Sequence, residues 1–253
     1  MSPLIYRYAF ACTFAASFAH ALSISNRATI TQLSNGTTIE YGETGVPDGI
    51  KEWQSTGILY KGCSNTAAAI SNCYNLTLTS NPNEQLDPNF LSSPRQRIEL
   101  RGDSHTSGSS YSFQWKQFLA SSVGTSTHFF HLMQVFDETA DGPVVTLDAV
   151  SNKLSIKDYA TDRTDCGGTC PSVALTNYNG ITTLHSMTVT FGPSGSLSYK
   201  VTNAKSGATI LSYSATGAMG GDSAYLKFGT YRATFTGMTA SDAAVGDFTY
   251  TEL

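Results

Sequence analysis

Closely spaced Gly, Ser, Asn, Asp and Thr residues divide most of this sequence into segments too short for helices. The segments are rich in Thr, Val, Ile, Phe and Tyr, and most alternate polar with apolar residues, the period of a half-buried β-strand. Twelve segments have this character: ATITQL, GTTIEYG, RQRIELRG, SYSFQWKQFL, THFFHLMQVFD, PVVTLDAV, KLSIKDY, HSMTVTFG, GSLSYKVTN, ATILSYSA, AYLKFGTYRA and VGDFTYTEL. The sequence therefore predicts an all-β protein.

The strand-rich sequence leaves little room for other architectures. Only EQLDPNFLS and NTAAAISNC are expected to hold a helical turn each. Many strands with short connections are typical of a two-sheet sandwich or jelly roll, and 253 residues is a normal length for one such domain. We find no internal repeat or linker, so we predict a single β-jelly roll over residues 22–253. We expect a concanavalin-like sandwich with a concave substrate groove.

Residues 1–21 have the features of a secretory signal peptide. A lone Arg7 precedes an apolar run at residues 8–18, and the stretch closes with Ala-His-Ala at residues 19–21. A membrane-spanning helix needs about 20 apolar residues, which this run does not reach. We therefore predict cleavage after Ala21 and a secreted, extracellular protein that has no membrane anchor.

The cysteine count agrees with secretion. Cys12 belongs to the predicted signal peptide, which leaves four cysteines at positions 63, 73, 166 and 170. An even number in a secreted chain indicates two disulfides. Of the three connectivities we prefer local pairing, Cys63 with Cys73 and Cys166 with Cys170. Zinc is the alternative, but CGGTC is not a CxxC pair and no histidine lies near it.

Charge and glycosylation motifs restrict the partners. The formal net charge of −4 and the absence of a basic cluster argue against nucleic acid. An anionic polysaccharide stays compatible with this charge, because a local group of cations can act against the net value. Asn35 in NGT and Asn75 in NLT are predicted glycosylation sites. We expect a monomer.

The segment RIELRG concentrates charge in a chain with only 13% charged residues. On a strand, Arg97, Glu99 and Arg101 would share one face, while Ile98 and Leu100 would share the other. We predict that the charged row lines the groove and that the aliphatic pair enters the core. The alternative is a solvated, self-paired strand face.

Two further segments combine a polar face with an apolar one. In YLKFGTYR, Tyr225, Lys227 and Tyr231 share a face; in HFFHLMQVFD, alternation sets Gln134 opposite to the face of His131. Gln134 could instead satisfy a buried backbone group, and Tyr231 could be a core ring. His105, in a Gly/Ser/Asp-rich loop after the charged row, is the histidine we favour as functional. We take the remaining histidines, His128, His131 and His185, as structural.

Arginine, glutamine, lysine, tyrosine and histidine on adjacent strands suit β-elimination of a uronic acid glycan. The C5 proton is poorly acidic while the neighbouring carboxylate is charged, and Arg or Gln hydrogen bonds neutralise that charge. A base then removes the proton and an acid protonates the leaving oxygen. Tyrosine can do both if nearby cations lower its pKa. No metal is chemically required.

Other catalytic motifs are missing from the sequence. There is no G-x-S-x-G or H-E-x-x-H motif, and the paired-carboxylate strand motif of retaining sandwich glycosidases is absent. A hydrolase that uses carboxylates from different strands, such as Glu99, stays open. A lectin-like binding module is the other alternative.

Three motifs resemble those of the alginate lyase-like jelly-roll superfamily. These enzymes carry R-(S/T)-E-L-R, Q-(I/V)-H and Y-F-K-x-G-x-Y in this order, and the present chain has RIELR, QVF and YLKFGTY. In size and secretion signal it is most similar to the fungal endo-β-1,4-glucuronan lyases of polysaccharide lyase family 20. The resemblance implies a secreted lyase that acts on a polyuronate, with glucuronan as the first choice and alginate as the second.

The resemblance also implies roles for individual residues. Arg97 would bind substrate, Gln134 would neutralise the carboxylate, and Tyr231 would be the catalytic base and acid. The neighbouring side chains that would line the groove are Arg101, Glu99, Lys227 and Tyr225.

The chain departs from the resembled motifs at one position and leaves the metal open. Phe136 stands where the motif has histidine, and we hypothesise that His105 replaces that imidazole. Relatives with this fold often hold structural calcium, for which Asp247 and Glu40 are candidate oxygen ligands.

Overall fold

The computed structural model describes residues 30–63 and 65–253, which form sixteen strands in two eight-stranded sheets. The predicted signal peptide, residues 1–21, lies outside the described residues. Every pairing between named strands is antiparallel. The two sheets form the sandwich of a β-jelly roll, as predicted.

We call the first sheet the back sheet. In spatial order its strands are β1 (Thr31–Asn35), β4 (Ile58–Lys61), β5 (Cys73–Leu78), β16 (Ser241–Glu252), β7 (Ser110–Leu119), β12 (Thr182–Thr190), β13 (Gly192–Asn203) and β14 (Thr209–Met219).

We call the second sheet the groove sheet. Its order is β11 (Ser172–Ala174), β10 (Lys153–Asp158), β9 (Gly142–Val150), β8 (Phe130–Asp137), β15 (Ala224–Ala233), β6 (Arg95–Gly102), β3 (Ile50–Ser55) and β2 (Glu40–Gly42). The motif-bearing strands β8, β15 and β6 are therefore consecutive in space although far apart in sequence.

Helical structure among the described residues is confined to three 3₁₀ turns: η1 (Pro88–Phe90), η2 (Thr164–Gly167) and η3 (Leu175–Asn177). None of them is long or apolar enough to cross a membrane. The turn predicted in EQLDPNFLS is η1, where the Asp87 side chain caps the Asn89 amide. The helical turn predicted in NTAAAISNC is wrong, because this segment is a loop with a hydrogen-bonded turn, Asn65 to Ala68, that leads into β5.

The core lies between the sheets and takes the apolar face of each strand. Ile98 and Leu100 from β6 and Phe228 from β15 are buried there, as the alternation predicts. Phe228 stacks on Trp115 of the back sheet with ring centroids 5.1 Å apart. Burial of these large apolar side chains stabilises the sandwich and fixes which face of β6 and β15 points outward.

A buried polar cluster interrupts this core. His185 on β12 shares a hydrogen bond of 2.6 Å with the Tyr199 hydroxyl, and Nε2 lies 3.0 Å from Thr183 Oγ1. Its ring also stacks on Trp115. Burial lowers the pKa of His185 to about 3, so the imidazole is neutral at neutral pH. This histidine is structural, as expected.

The predicted local disulfides are both present. Cys63–Cys73 ties the loop after β4 to the start of β5, and Cys166–Cys170 closes the loop between β10 and β11.

The two predicted glycosylation sites differ in exposure: Asn35 at the end of β1 is exposed and Asn75 on β5 is partly exposed. Their glycosylation stays a prediction.

Candidate active site

The outer face of the groove sheet carries a depression of about 550 Å³, which we call the groove. It is formed around β15, where Tyr231 lies opposite Arg97 of β6 on one side and opposite His131 of β8 on the other. Lys227 of β15 likewise lies opposite Gln134 of β8. The structure therefore brings Arg97, Gln134 and Tyr231 into one groove. Its lining comprises Tyr41, Gln54, Asn89, Phe90, Arg95, Arg97, Phe129, His131, Gln134, Phe136, Glu138, Asp141, Pro143, Tyr225, Lys227 and Tyr231.

Gly229 lets β15 lie close against β6 in the floor of the groove. Its φ is +145°, and a Cβ at this position would overlap the Ile98 carbonyl oxygen. The Gly229 carbonyl accepts a hydrogen bond of 3.0 Å from the buried Gln117 of the back sheet. The glycine thus holds Lys227 and Tyr231, two residues away on either side, in a fixed register.

Tyr231 receives two guanidinium donors. Its hydroxyl oxygen accepts hydrogen bonds of 3.0 Å from Arg95 Nη1 and 3.1 Å from Arg97 Nη2. A hydroxyl has two acceptor lone pairs and one proton to donate, so the phenolic proton stays available to a bound molecule. Burial raises the pKa of Tyr231 above its ordinary value, and the two arginines only partly oppose this. The phenol is therefore protonated at neutral pH.

Arg97 is held in place by a network that sequence reasoning did not foresee. Its Nη2 lies 2.5 Å from the fully buried carboxylate of Asp87, and Nη1 donates to Gln54 Oε1 at 3.3 Å. Burial lowers the pKa of Arg97, but Glu99, Tyr231 and Asp87 outweigh that effect and raise it. Arg97 is thus a fixed cation beneath Tyr231.

Arg95 and Lys227 are the groove cations that form no salt bridge among the described residues. The Arg95 guanidinium lies 4.1 Å over the Phe90 ring and reaches Tyr231. Lys227 Nζ lies 4.9 Å from the Phe136 ring centre and donates to Gln54 at 3.3 Å. Burial lowers the pKa of Lys227, although Glu99 opposes this. Both cations are free to meet an anionic ligand.

Glu99 lies under the groove rather than in its lining. It is 2% exposed, and its Oε1 accepts a hydrogen bond of 2.6 Å from Gln134 Nε2. One amide N–H of Gln134 is thereby fixed and the other is left for a ligand. Glu99 is outside the groove lining, and its carboxylate orients Gln134.

Arg101 also lies beside the groove and not in its lining. Its guanidinium lies 4.0 Å over the Tyr225 ring, 3.0 Å from Glu138 and 3.6 Å from Glu52. Arg101 is thus paired with these two carboxylates and supports Tyr225 from below. Tyr225 itself lines the groove as predicted, and burial raises its pKa to about 12 although Arg101 opposes this.

The structure does not bring His105 into the groove, so the hypothesis that it replaces the missing imidazole is wrong. Its backbone bridges to Ala224, and its ring packs between Tyr111 and Phe191, with centroids at 4.0 and 4.9 Å. Burial lowers the pKa of His105. Stacking among apolar rings removes this side chain from the groove.

His131, which we took as structural, lines the groove instead. A register shift between His131 and Met133 in the β8–β9 pairing breaks the alternation, so His131 and Gln134 share the groove face. His131 Nδ1 lies 2.6 Å from Asp148 Oδ1 on β9, and its ring centroid is 5.8 Å from that of Tyr231. The buried Asp148 in the apolar segment PVVTLDAV is the signal that could have revealed it.

Phe136 occupies the strand position where the resembled motif has histidine. It lies opposite Tyr225, and the two rings stack with centroids 5.4 Å apart. Together with Phe129 and the Phe90 ring, it gives the groove apolar walls. Such walls suit the faces of sugar rings.

The two candidate calcium ligands lie on different sheets, and calcium binding stays a prediction. Asp247 is on β16 of the back sheet and Glu40 is on β2 of the groove sheet. The Asp247 carboxylate accepts the amide N–H groups of Ser71 and Asn72 and the Lys116 ammonium at 2.9 Å. Burial raises the pKa of Asp247, but these donors lower it overall. The described residues hold no cluster of three or more acidic, His or Cys side chains suited to a metal.

Comparisons with known proteins establish the fold. No protein-family profile matches the sequence, and no curated protein sequence matches it. Among solved structures, endo-β-1,4-glucuronan lyase from the fungus Trichoderma reesei is similar with a TM-score of 0.52 and 11% identity, over 91% of this chain and 92% of that chain. Alginate lyase from Pseudomonas aeruginosa gives a TM-score of 0.47 and 13% identity, over 87% and 100%. The chain has the jelly-roll fold found in the glucuronan lyase.

Proposed function

We propose that this protein is a secreted polysaccharide lyase that cleaves a β-1,4-linked polyuronate by β-elimination. The observation that carries the proposal is the arrangement around Tyr231: a protonated phenol that accepts hydrogen bonds from Arg95 and Arg97 and shares one groove with Lys227 and Gln134. A fold shared with a glucuronan lyase supports it.

The groove side chains match the charges that develop during the reaction. The guanidinium of Arg95 and the free amide N–H of Gln134 are suited to bind the uronate carboxylate and disperse the negative charge that grows at C5. The phenolic proton of Tyr231 passes to the O4 leaving oxygen as the C4–O4 bond breaks. Arg97, which Asp87 holds rigidly, stabilises the tyrosinate that results. No step requires a metal, although a structural calcium elsewhere is compatible with the proposal.

The groove architecture favours glucuronan as substrate. In β-1,4-linked glucuronic and mannuronic acids the C5 hydrogen and the C4 oxygen lie on the same face of the ring. The polar side chains of β6, β8 and β15 rise from one floor, so they reach a single sugar face. We therefore rank glucuronan first, mannuronate-rich alginate second and guluronate-rich alginate last.

Secretion is part of the proposal. The two disulfides support an oxidising compartment, where such a polymer would be met, and the features of residues 1–21 agree.

The decisive experiment incubates the purified protein with glucuronan, both alginates and a neutral β-glucan, and follows the ultraviolet absorbance of the unsaturated uronate. We expect product from glucuronan, a loss of at least about 100-fold in Tyr231→Phe, and no loss in the exposed control Tyr250→Phe. Polymer retention without product would instead indicate a lectin-like module. New reducing ends without the absorbance would indicate a glycoside hydrolase.

A further inference from the structure

His131 and Asp148 form a buried pair beside Tyr231. The proposed reaction described above does not use this pair. His131 Nδ1 lies 2.6 Å from Asp148 Oδ1, and the two residues are directly opposite in the β8–β9 pairing. Asp148 is fully buried, and His131 lines the groove. An acidic side chain in the middle of an otherwise apolar strand needs such a partner.

The pair fixes the protonation pattern of the imidazole. A carboxylate can only accept, so Nδ1 carries the proton and donates it to Asp148. Nε2 is then left with its lone pair. The Phe129 ring, stacked on His131 with centroids 4.8 Å apart, holds the imidazole plane. Nε2 is therefore the ring nitrogen in position to act as a general base.

Tyr231 lacks the properties of a base in the same groove. Its hydroxyl accepts two guanidinium hydrogen bonds, which occupy its lone pairs, and burial keeps the phenol protonated. The group is therefore suited to give a proton and not to take the first one. The other candidates are committed elsewhere, since Glu99 accepts from Gln134 and the His105 ring lies among aromatic rings outside the groove.

We propose that His131 Nε2 is the base that removes the C5 proton and that Asp148 is its positioning residue. This assignment rests on the proposed lyase function and replaces the predicted role of Tyr231 as both base and acid. In the step, the C5–H bond breaks and its electron pair forms the C4=C5 double bond. The C4–O4 pair leaves with the departing oxygen, which takes the Tyr231 proton.

The proton transfer that regenerates the enzyme takes place between the neighbouring strands β8 and β15. After the step the groove holds an imidazolium at His131 and a tyrosinate at Tyr231, whose rings are cross-strand neighbours. Return of the proton from the imidazolium to the tyrosinate, directly or through water, restores the starting state. Arg95 and Arg97 stabilise the tyrosinate until then.

The test compares His131→Gln and Asp148→Asn with the wild type on glucuronan, with the exposed His128→Gln as matched control. We expect kcat to fall by about 10²- to 10⁴-fold in His131→Gln, by less in Asp148→Asn, and not in His128→Gln. Thermal unfolding of each variant checks that the fold is kept. A second variant, His131→Ala, is expected to regain activity when free imidazole is added.

The pH profile separates a base from a structural residue. On the β9 side His131 faces Asp148, on which Tyr159 acts in turn. On the β15 side it faces Tyr231, whose hydroxyl accepts from Arg95 and Arg97. In the wild type we expect kcat/KM to fall on the acidic side of its pH profile, because the base becomes protonated. In His131→Gln we expect the residual kcat/KM to lack this acidic fall, since no imidazole is left to protonate.

The outcomes distinguish this inference from the proposed function. Suppose that the wild type forms unsaturated product and that His131→Gln keeps the same rate and the same acidic fall of kcat/KM. This result would overturn the role of His131 and leave the proposed lyase function intact. Absence of unsaturated product from the wild type on every polymer would overturn both.

Discussion

Replacement of Arg97 by methionine tests whether the groove is held together by buried ion pairing. In the wild type the guanidinium lies 2.5 Å from Asp87, 3.1 Å from the Tyr231 hydroxyl and 3.3 Å from Gln54. Methionine fills much of the space but leaves Asp87 fully buried with one remaining donor, the Asn89 amide at 3.0 Å.

The expected cost follows from the unpaired carboxylate. Removal of one partner from a buried ion pair costs about 3–5 kcal/mol, which for a chain of this size lowers Tm by roughly 6–20 °C. Urea unfolding of Arg97→Met measures this free energy directly. The double variant Arg97→Met/Asp87→Asn removes the stranded charge, so it should recover much of the loss.

Two results would contradict this reasoning. Arg97→Met within about 1 kcal/mol of the wild type would mean that Asp87 is not isolated from water, because exposed pairs contribute no more than that. A double variant as unstable as the single one would mean that packing, and not charge, makes Arg97 necessary.

Three further predictions concern the sandwich itself. Gly229→Ala should cost about 1–3 kcal/mol and lower the lyase rate, because its Cβ meets the Ile98 carbonyl; urea unfolding that matches the wild type would contradict this. Burial lowers the pKa of His185 to about 3, so between about pH 6.5 and pH 3 this histidine is protonated in the unfolded chain and neutral in the folded one. The free energy of unfolding should therefore fall by up to about 1.4 kcal/mol for each pH unit as the pH drops through this range. That contribution should be missing in His185→Gln, as shown by the difference between the two proteins' urea midpoints at each pH. Asp247→Ala should lower Tm equally with calcium and with chelator, since Asp247 binds Lys116 and backbone amides; a calcium-dependent difference would revive the metal assignment.

The strands that build the groove could be predicted from the sequence because their two faces differ in chemistry. The predicted segments RQRIELRG and AYLKFGTYRA coincide with β6 and β15. Strands β3, β4, β5 and β11 escaped prediction. The IKEWQS segment of β3 ends in three consecutive buried residues, so it lacks the alternation that identifies a half-buried strand.

The site was predicted less completely because sequence does not reveal partners. Arg101 and Glu99 share a face with Arg97, but whether each is free or paired depends on Glu138, Glu52 and Gln134, which are remote in the chain. The His105 error has a similar cause, since a polar loop after a strand gives no sign that its ring packs among aromatic residues.

The irregularity at Leu132 on β8 has a consequence for how relatives of this protein should be aligned. Residues before it follow one alternation and residues after it follow the other, so His131 and Gln134 share a face although they are three positions apart. A relative that lacks the extra residue would keep both side chains on that face with a spacing of two, and an alignment without a gap here would match its histidine to the core residue Leu132. A relative that keeps the spacing of three without the bulge would turn the histidine into the core, and its proton-transfer chemistry would differ while every short motif is retained.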